Sequence, residues 1–208
     1  MQENSVLIFM PVDNLVINDY TGFDTWFNYY TGVPKELVST YFSTIKKHKW
    51  PTVVALLDIY RPTFEQYKYV WFIDNDVKIS NRDLHYFTKK CTEKEVQIAQ
   101  MSLSQTNGTH RHLLYRGHRG FLRVKFCEVM APLIRTDVLF ELYEKGILSE
   151  SESGWGIDYV WGKLFDNYLL QEVMMTHMKK VESTNWVMSN GKTPMQELEL
   201  IKRKYKIR

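Results

Sequence analysis

Tyr69-Val70-Trp71-Phe72-Ile73-Asp74-Asn75-Asp76 is the stretch on which the reading of this chain turns. Aromatic and β-branched residues follow one another without Gly or Pro, the pattern of a short buried strand. The run then ends abruptly in two carboxylates two positions apart. Like charges so placed repel and call for compensation. A divalent cation supplies it, and hard carboxylate oxygens suit magnesium or manganese, whose remaining positions phosphate oxygens commonly fill. An Asp-Asn turn accounts for the same tripeptide without a metal. Both readings stand on this stretch alone.

On the N-terminal side, residues 5–10 form an apolar run closed by Pro11, a first strand leading into a polar loop at Asp13 and Asn14. Residues 24–30 alternate aromatic and polar side chains, as a second strand would. Residues 38–49 carry apolar side chains at helical spacing. Pro51 suits the first turn of a helix reaching about Tyr60, although Val53 to Leu57 reads equally well as a strand. On the C-terminal side, Ser80 to Asp83 caps a helix, residues 96–103 form a strand, and residues 104–120 a polar loop. Residues 125–134 read as a strand with Glu128 in its middle, 136–145 and 157–168 as helices, 172–176 as a strand, and 194–205 as a terminal helix.

Strands interleaved with helices imply a single α/β domain with a central, mostly parallel sheet flanked by helices. Residues 1–193 would make up that domain, with residues 194–208 a basic helix or the start of a linker to a longer, multidomain chain. In open sheets of this kind ligands bind beyond the carboxyl ends of the strands, where Asp74 and Asp76 stand.

The 208 residues can bury a sizeable core, and 44% hydrophobic with 25% charged residues is the composition of an ordinary globular protein. A net charge of +3, with a dense basic run only from Lys202 onward, argues against a nucleic-acid partner. No stretch of about 20 apolar residues offers a membrane span. No signal peptide is visible, and Cys91 and Cys127 fit no metal spacing. Reduced thiols and a cytoplasmic location are the expectation.

Ser153-Gly154-Trp155-Gly156-Ile157-Asp158 is the second informative stretch. Glycines on both sides of Trp155 allow a turn and a close approach of backbone to ligand, while the indole face suits the apolar side of a sugar. Asp158 opens the next helix, where the helix dipole favours an ionised carboxylate. The plainer alternative makes Trp155 a core plug and Asp158 a cap.

Taken in order, the Asp-Asn-Asp strand end, Ile98-Ala99-Gln100-Met101-Ser102-Leu103, Cys127-Glu128-Val129-Met130-Ala131-Pro132-Leu133 and Ser153-Gly154-Trp155-Gly156-Ile157-Asp158 resemble GT-A glycosyltransferases with their DXD metal motif. The chain is similar to the glycosyltransferase domain of large algal DNA viruses and to a plant and bacterial family bearing the Ser-Gly-Trp-Gly-x-Asp signature. The resemblance covers most of residues 5–180. It implies the Rossmann-like GT-A fold and a nucleotide-sugar donor, UDP-linked, held through Mn2+ or Mg2+ by Asp74, Asp76 and a late histidine, His177. Asp58, Asp13 and Asn14 would contact base and ribose. Trp155, Gly156, Glu128 and Arg119 would line the substrate site, with Glu128 paired to Arg123 or Lys125 or else facing the acceptor. His110, Arg111, His112, Arg116 and His118 would join Arg119 over the diphosphate.

The resulting expectation is a metal-dependent transferase that moves a hexose or deoxyhexose to a glycan hydroxyl, with Asp158 as catalytic base if the anomeric configuration inverts and as the group orienting the acceptor if it is retained. Two other classes use the same residues: metal-dependent nucleotidyl or phosphoryl transfer through paired aspartates, and a carbohydrate-binding module without chemistry.

Overall fold

Strand β1 (Val6–Val12) shows how the molecule is organised. Side chains alternate across a strand, and both faces of β1 are apolar. Val6, Ile8, Met10 and Val12 enter one buried cluster, Leu7 and Phe9 another. A strand buried on both faces belongs in the middle of a sheet covered by helices on each side. That is the arrangement in this computed structural model, which describes residues 5–13, 16–32, 38–104, 111–178 and 186–207.

The other strands are β2 (Asp24–Tyr29), β3 (Tyr41–Ser43), β4 (Tyr69–Phe72), β5 (Val77–Lys78), β6 (Ile98–Leu103), β7 (Phe121–Val124), β8 (Leu133–Arg135) and β9 (Asn167–His177). The helices are α1 (Lys49–Phe64), α2 (Asn81–Lys94), α3 (Thr136–Glu144), α4 (Ile157–Leu164) and α5 (Pro194–Tyr205). The sheet runs β3-β2-β1-β4-β8-β6-β9-β5, with β7 also beside β9. Pairing is parallel from β3 through β4 and again between β6 and β9. It is antiparallel where β8 joins β4 and β6, and where β5 and β7 join β9.

Leu84, Phe87 and Cys91 of α2 cover the Val6–Ile8–Met10 side together with Trp71 and Ile73. Residues of α1, α3, α4 and α5, among them Val53, Leu56, Leu139, Trp161 and Ile201, cover the Leu7–Phe9 side with Val70 and Phe72. Each fully buried side chain of this size stabilises the fold by about 1.5–3 kcal/mol. Helix ends are held locally. Ser80 Oγ accepts the amide of Asp83 at 3.1 Å at the start of α2. Thr193 and Gln196 form a reciprocal capping box ahead of α5, with Pro194 in its first turn. Cys91 and Cys127 are buried free thiols.

Three local expectations change. Residues 38–49 contain the edge strand β3 rather than a helix. Tyr41 stacks on Trp26, and Ser43 Oγ accepts the Trp26 indole N–H at 3.1 Å, contacts that sequence spacing does not carry. Residues 53–57 are helical. The strand expected over 125–134 is two short strands, β7 before it and β8 at its end, joined by an irregular segment. Side chains hold that segment's backbone. Asn167 Oδ1 accepts the Cys127 amide at 2.9 Å and Gln100 Oε1 the Glu128 amide at 2.7 Å. Helix α4 stops at Leu164, and the next two residues lead into the long strand β9.

Candidate active site

The carboxyl end of β4 is shaped by backbone first. The amide of Ile73 donates to Phe9 O at 2.9 Å and that of Asp74 to Met130 O at 3.0 Å, and Val77 N closes a turn onto Asp74 O at 3.1 Å. That turn leads into β5, whose register with β9 sets Val77 opposite His177. His177 Nε2 consequently lies 3.2 Å from Asp76 Oδ2. The bond to Asp76 pulls the His177 pKa upward, against the burial of the ring.

Asp74 has another partner. Lys49, the first residue of α1, donates from Nζ to Asp74 Oδ1 at 2.5 Å and to the carbonyls of Val129 at 2.5 Å and Met130 at 3.2 Å. Burial raises the Asp74 pKa, Lys49 opposes that shift, and Asp76 adds to it. The repulsion between the two aspartates is therefore answered in part by a lysine far away in sequence.

Lys49, Asp74 and Asp76 border a cleft of about 1140 Å3 beyond the ends of β1, β2 and β4. Its walls include Tyr30, the first turn of α1, Trp155, and residues 186–189. Lys46, Lys47 and His48 precede Lys49 on the same rim. The first turn of a helix carries amides without intrahelical partners and the positive end of the dipole, which suits an anion. Tyr30 lies close enough to Asp13, Asp76 and Asp74 for burial and their charges, in that order of effect, to raise its pKa.

The second informative stretch forms another wall. Gly154 and Gly156 have φ of +86° and +96°, a region that favours glycine. Their backbones approach the protein itself. A Cβ on Gly154 would lie 2.4 Å from Trp50 Cδ1, and one on Gly156 3.2 Å from Ile201 of α5. Gly156 thus makes room for the packing of α5 against this turn. Trp155 stays half-buried on the cleft wall.

Asp158 is 4% exposed, and its Oδ1 accepts the Tyr159 amide at 3.0 Å. Burial, and then the neighbouring Glu128, push its pKa up to about 8. The expectation of an ionised Asp158 at neutral pH is overturned. A helix start favours a carboxylate by at most about 2 kcal/mol, whereas full burial shifts such groups by about 3–5 pH units.

Glu128, on the irregular segment before β8, is half-buried. Its Oε2 is shielded and has no hydrogen-bond partner among the described residues. Burial pushes its pKa up to about 7, with His177 and Lys49 acting to lower it and Asp74 to raise it. Neither expected cation meets it: Arg123 pairs with Asp166, and Lys125 is exposed. The cleft wall includes Val129, Ser153 and Trp155, chain neighbours of Glu128 and Asp158.

The wall is latched by α5. Glu197, 2% exposed, accepts from Ser151 Oγ at 2.8 Å, the Glu152 amide at 2.9 Å, Ser153 amide and Oγ at 2.9 and 2.6 Å, and Asn190 Nδ2 at 2.7 Å.

Two expected site residues are elsewhere. Asp58 sits on the exposed side of α1, about 13 Å along the axis from Lys49 at 1.5 Å per residue, and accepts from the Tyr143 hydroxyl. Arg119 borders a separate shallow groove with Lys90, Lys94 and Phe121. Asp13 follows β1 at the rim, its carbonyl taken by Thr31 Oγ1 at 2.5 Å. Asn14 and His110 lie outside the described residues. Lys49, Gln100 and Glu197 went unnoticed in the sequence. Only the need of buried carboxylates for partners hinted at Lys49.

Among the described residues no group of three His, Cys, Asp or Glu gathers to hold an ion. Asp76 with His177 offers one carboxylate and one imidazole side by side. That donor set fits manganese or magnesium in the mode where phosphate oxygens and water complete the shell.

No protein-family model and no curated protein matches the sequence. Solved structures do resemble the fold. Residues 1–349 of TarS from S. aureus in complex with UDP-GlcNAc match with a TM-score of 0.61 at 12% identity, over 97% of this chain and 65% of that one. The same protein with UDP matches at 0.55 and 13% identity, over 82% and 59%. Without ligand it matches at 0.55 and 10% identity, over 83% and 60%. This chain therefore spans less than two thirds of the TarS chains it matches. The likeness is one of fold, and the α/β architecture expected of the GT-A class is borne out.

Proposed function

We propose that this chain is a glycosyltransferase that takes a hexose or deoxyhexose from a nucleoside diphosphate sugar and attaches it to a glycan hydroxyl. The observation that carries the reading is the meeting of Asp74, Asp76, Lys49 and His177 where α1 begins beside the cleft. Cationic groups, a helix N-terminus and a carboxylate-imidazole pair together suit a diphosphate bound with a divalent cation. Asp76 and His177 would hold that cation, Mn2+ or Mg2+, which when bound neutralises charge on a departing diphosphate. Lys49 positions Asp74 and adds positive charge to the same end.

At the other end, the acceptor oxygen bonds to the anomeric carbon while the bond from that carbon to the diphosphate oxygen breaks. The acceptor proton passes to Asp158, and the anomeric configuration inverts. A carboxyl with a pKa near 8 is a stronger base than an ordinary aspartate once ionised, as general-base catalysis near neutral pH requires. The Trp155 ring offers a face to the sugar. TarS is solved with UDP and UDP-GlcNAc, which makes uridine the donor base to test first.

The test is thermal unfolding with UDP and UDP-sugars, with and without manganese. A ligand at about 100 times its Kd stabilises the folded state by about 2.7 kcal/mol. UDP with manganese should raise Tm, and Asp76→Ala should abolish the rise. No shift from any nucleotide or nucleotide sugar would overturn the reading.

A further inference from the structure

Glu128, Gln100 and Trp50 stand out for the same reason: each carries a buried polar atom with no hydrogen-bond partner among the described residues. The atoms are Glu128 Oε2, Gln100 Nε2 and Trp50 Nε1. Gln100 is fully buried in β6 and Trp50 is 1% exposed, so solvent satisfies neither. Leaving such a group unpaired forfeits the hydrogen bonds it made to water, and native folds seldom tolerate it without a ligand or an ordered water.

Two of the three are joined. Gln100 Oε1 accepts the Glu128 amide at 2.7 Å, which fixes Glu128 on its loop and brings the unpaired Gln100 amide close to it. Trp50 lines the cleft, and its ring lies 5.4 Å from that of Trp161, whose indole N–H binds the carbonyl of Cys127, the residue before Glu128.

Position then selects the ligand. Glu128 is within electrostatic reach of His177, Asp74 and Lys49, the groups assigned to the diphosphate end. It is also the charged neighbour that most affects Asp158. Hydrogen bonds place it between the two ends: Lys49, bonded to Asp74, also holds the carbonyl of Val129 at 2.5 Å, and Trp161, one turn beyond Asp158 on α4, holds that of Cys127 at 2.9 Å. In a displacement at the anomeric carbon, the transferred sugar is the part of the substrates that lies between leaving group and base.

Resting on the function proposed above, the geometry points to Glu128, backed by Gln100, as the residue that binds a hydroxyl of the transferred sugar and so discriminates among donor sugars. A hydroxyl donates and accepts. It would give Glu128 Oε2 its missing donor, while Gln100, whose side-chain oxygen holds the Glu128 amide, fixes the loop that presents it. A site that needs a hydroxyl strongly rejects a donor that lacks it, because the buried partners are then left unpaired.

Calorimetric titration of wild type and Glu128→Gln in saturating manganese separates the possibilities, with UDP, UDP-glucose, UDP-galactose and UDP-GlcNAc as probes. Affinity for the preferred UDP-sugar should fall about tenfold or more in the variant, affinity for UDP should stay within about twofold, and preference among the sugars should narrow. If Glu128→Gln fails to fold, Glu128→Asp withdraws the carboxyl by one methylene and should give the same split. Unchanged sugar affinity and preference would overturn the assignment and leave an ordered water at Oε2. Parallel loss of UDP and UDP-sugar would move Glu128 to the diphosphate end and overturn it as well. Failure of wild type to bind UDP at all would sink the function itself, and this inference with it.

Discussion

Asp74 follows a strand at the cleft and Asp158 lies buried in the first turn of the helix after the Trp155 wall, and their surroundings differ in kind. Asp74 has a lysine ammonium at 2.5 Å, and its neighbour Asp76 has an imidazole at 3.2 Å. Asp158 has backbone amides and another carboxyl, Glu128, and no ion pair among the described residues. In one region cations placed against the carboxylates oppose the effect of burial, which suits the binding of a metal and phosphates. The other gives the charge up to burial and holds its protons close to neutral pH, which suits a proton transfer. Two similar residues become different reagents through what lies beside them.

The hardest blow to this contrast falls on Asp158. Asp158→Asn keeps the shape and removes the basicity, so sugar transfer should drop by about 100- to 10,000-fold while donor affinity hardly changes. The wild-type rate should climb with pH and level off above about 8, since the base acts only when ionised. Stability should move the other way. A carboxyl whose pKa is higher folded than unfolded keeps its proton in the folded state after the unfolded chain has lost it. Its contribution is complete below about pH 4 and declines as pH rises toward about 8, by up to about 1.4 kcal/mol per pH unit. Denaturant melts from pH 5 to 8 should show a flatter slope for Asp158→Asn. An unchanged slope and rate would reduce Asp158 to a helix cap.

The opposite end is sharpened by Lys49→Met. Removing one partner of a fully buried pair typically destabilises by about 3–5 kcal/mol. Asp74 keeps 33% of its side chain exposed, which lowers the expectation to about 2–3 kcal/mol. The double variant Lys49→Met with Asp74→Asn should recover much of the loss, because no charge is then stranded. Chemical denaturation of the single and double variants checks this, and equal losses would show that Lys49 acts through its carbonyl contacts instead.

Asp58→Ala and Arg119→Ala provide the smallest effect. Both residues lie outside the contrast, one on the open side of α1 and one in a separate groove. Each should shift stability by no more than about 0.5 kcal/mol and leave nucleotide affinity untouched. Loss of UDP binding in either variant would redraw the site.

What could be read beforehand follows the range of the physics involved. The strand ending in Asp74 and Asp76, the Ser80 cap and the Pro194 start of α5 are written in neighbouring residues, and all three are present. The placement of Asp158 at a helix start was equally local. Its charge state was not, because burial behind Trp155 and beside Glu128 depends on the packing of distant segments. Lys49 belongs to the same class: it is 25 residues from Asp74, and no spacing rule links them. Residues 125–134 misled for a related reason, since their apolar side chains are buried while side chains from β6 and β9 take up the backbone amides of Cys127 and Glu128 that a neighbouring strand would otherwise hold.

The carboxylate of Glu197 gives the assembly of the molecule an order in time. It binds Ser153 from 44 positions further along the chain. During synthesis, the strands that end at Asp74 and Asp76 can emerge and pair well before that glutamate exists. The segment carrying Trp155 lacks its latch until the ribosome has passed residue 197 and α5 has docked. The strands leading to Asp74 can thus pair early, whereas His177 against Asp76 and the Trp155 segment against Glu197 set only near the end of synthesis.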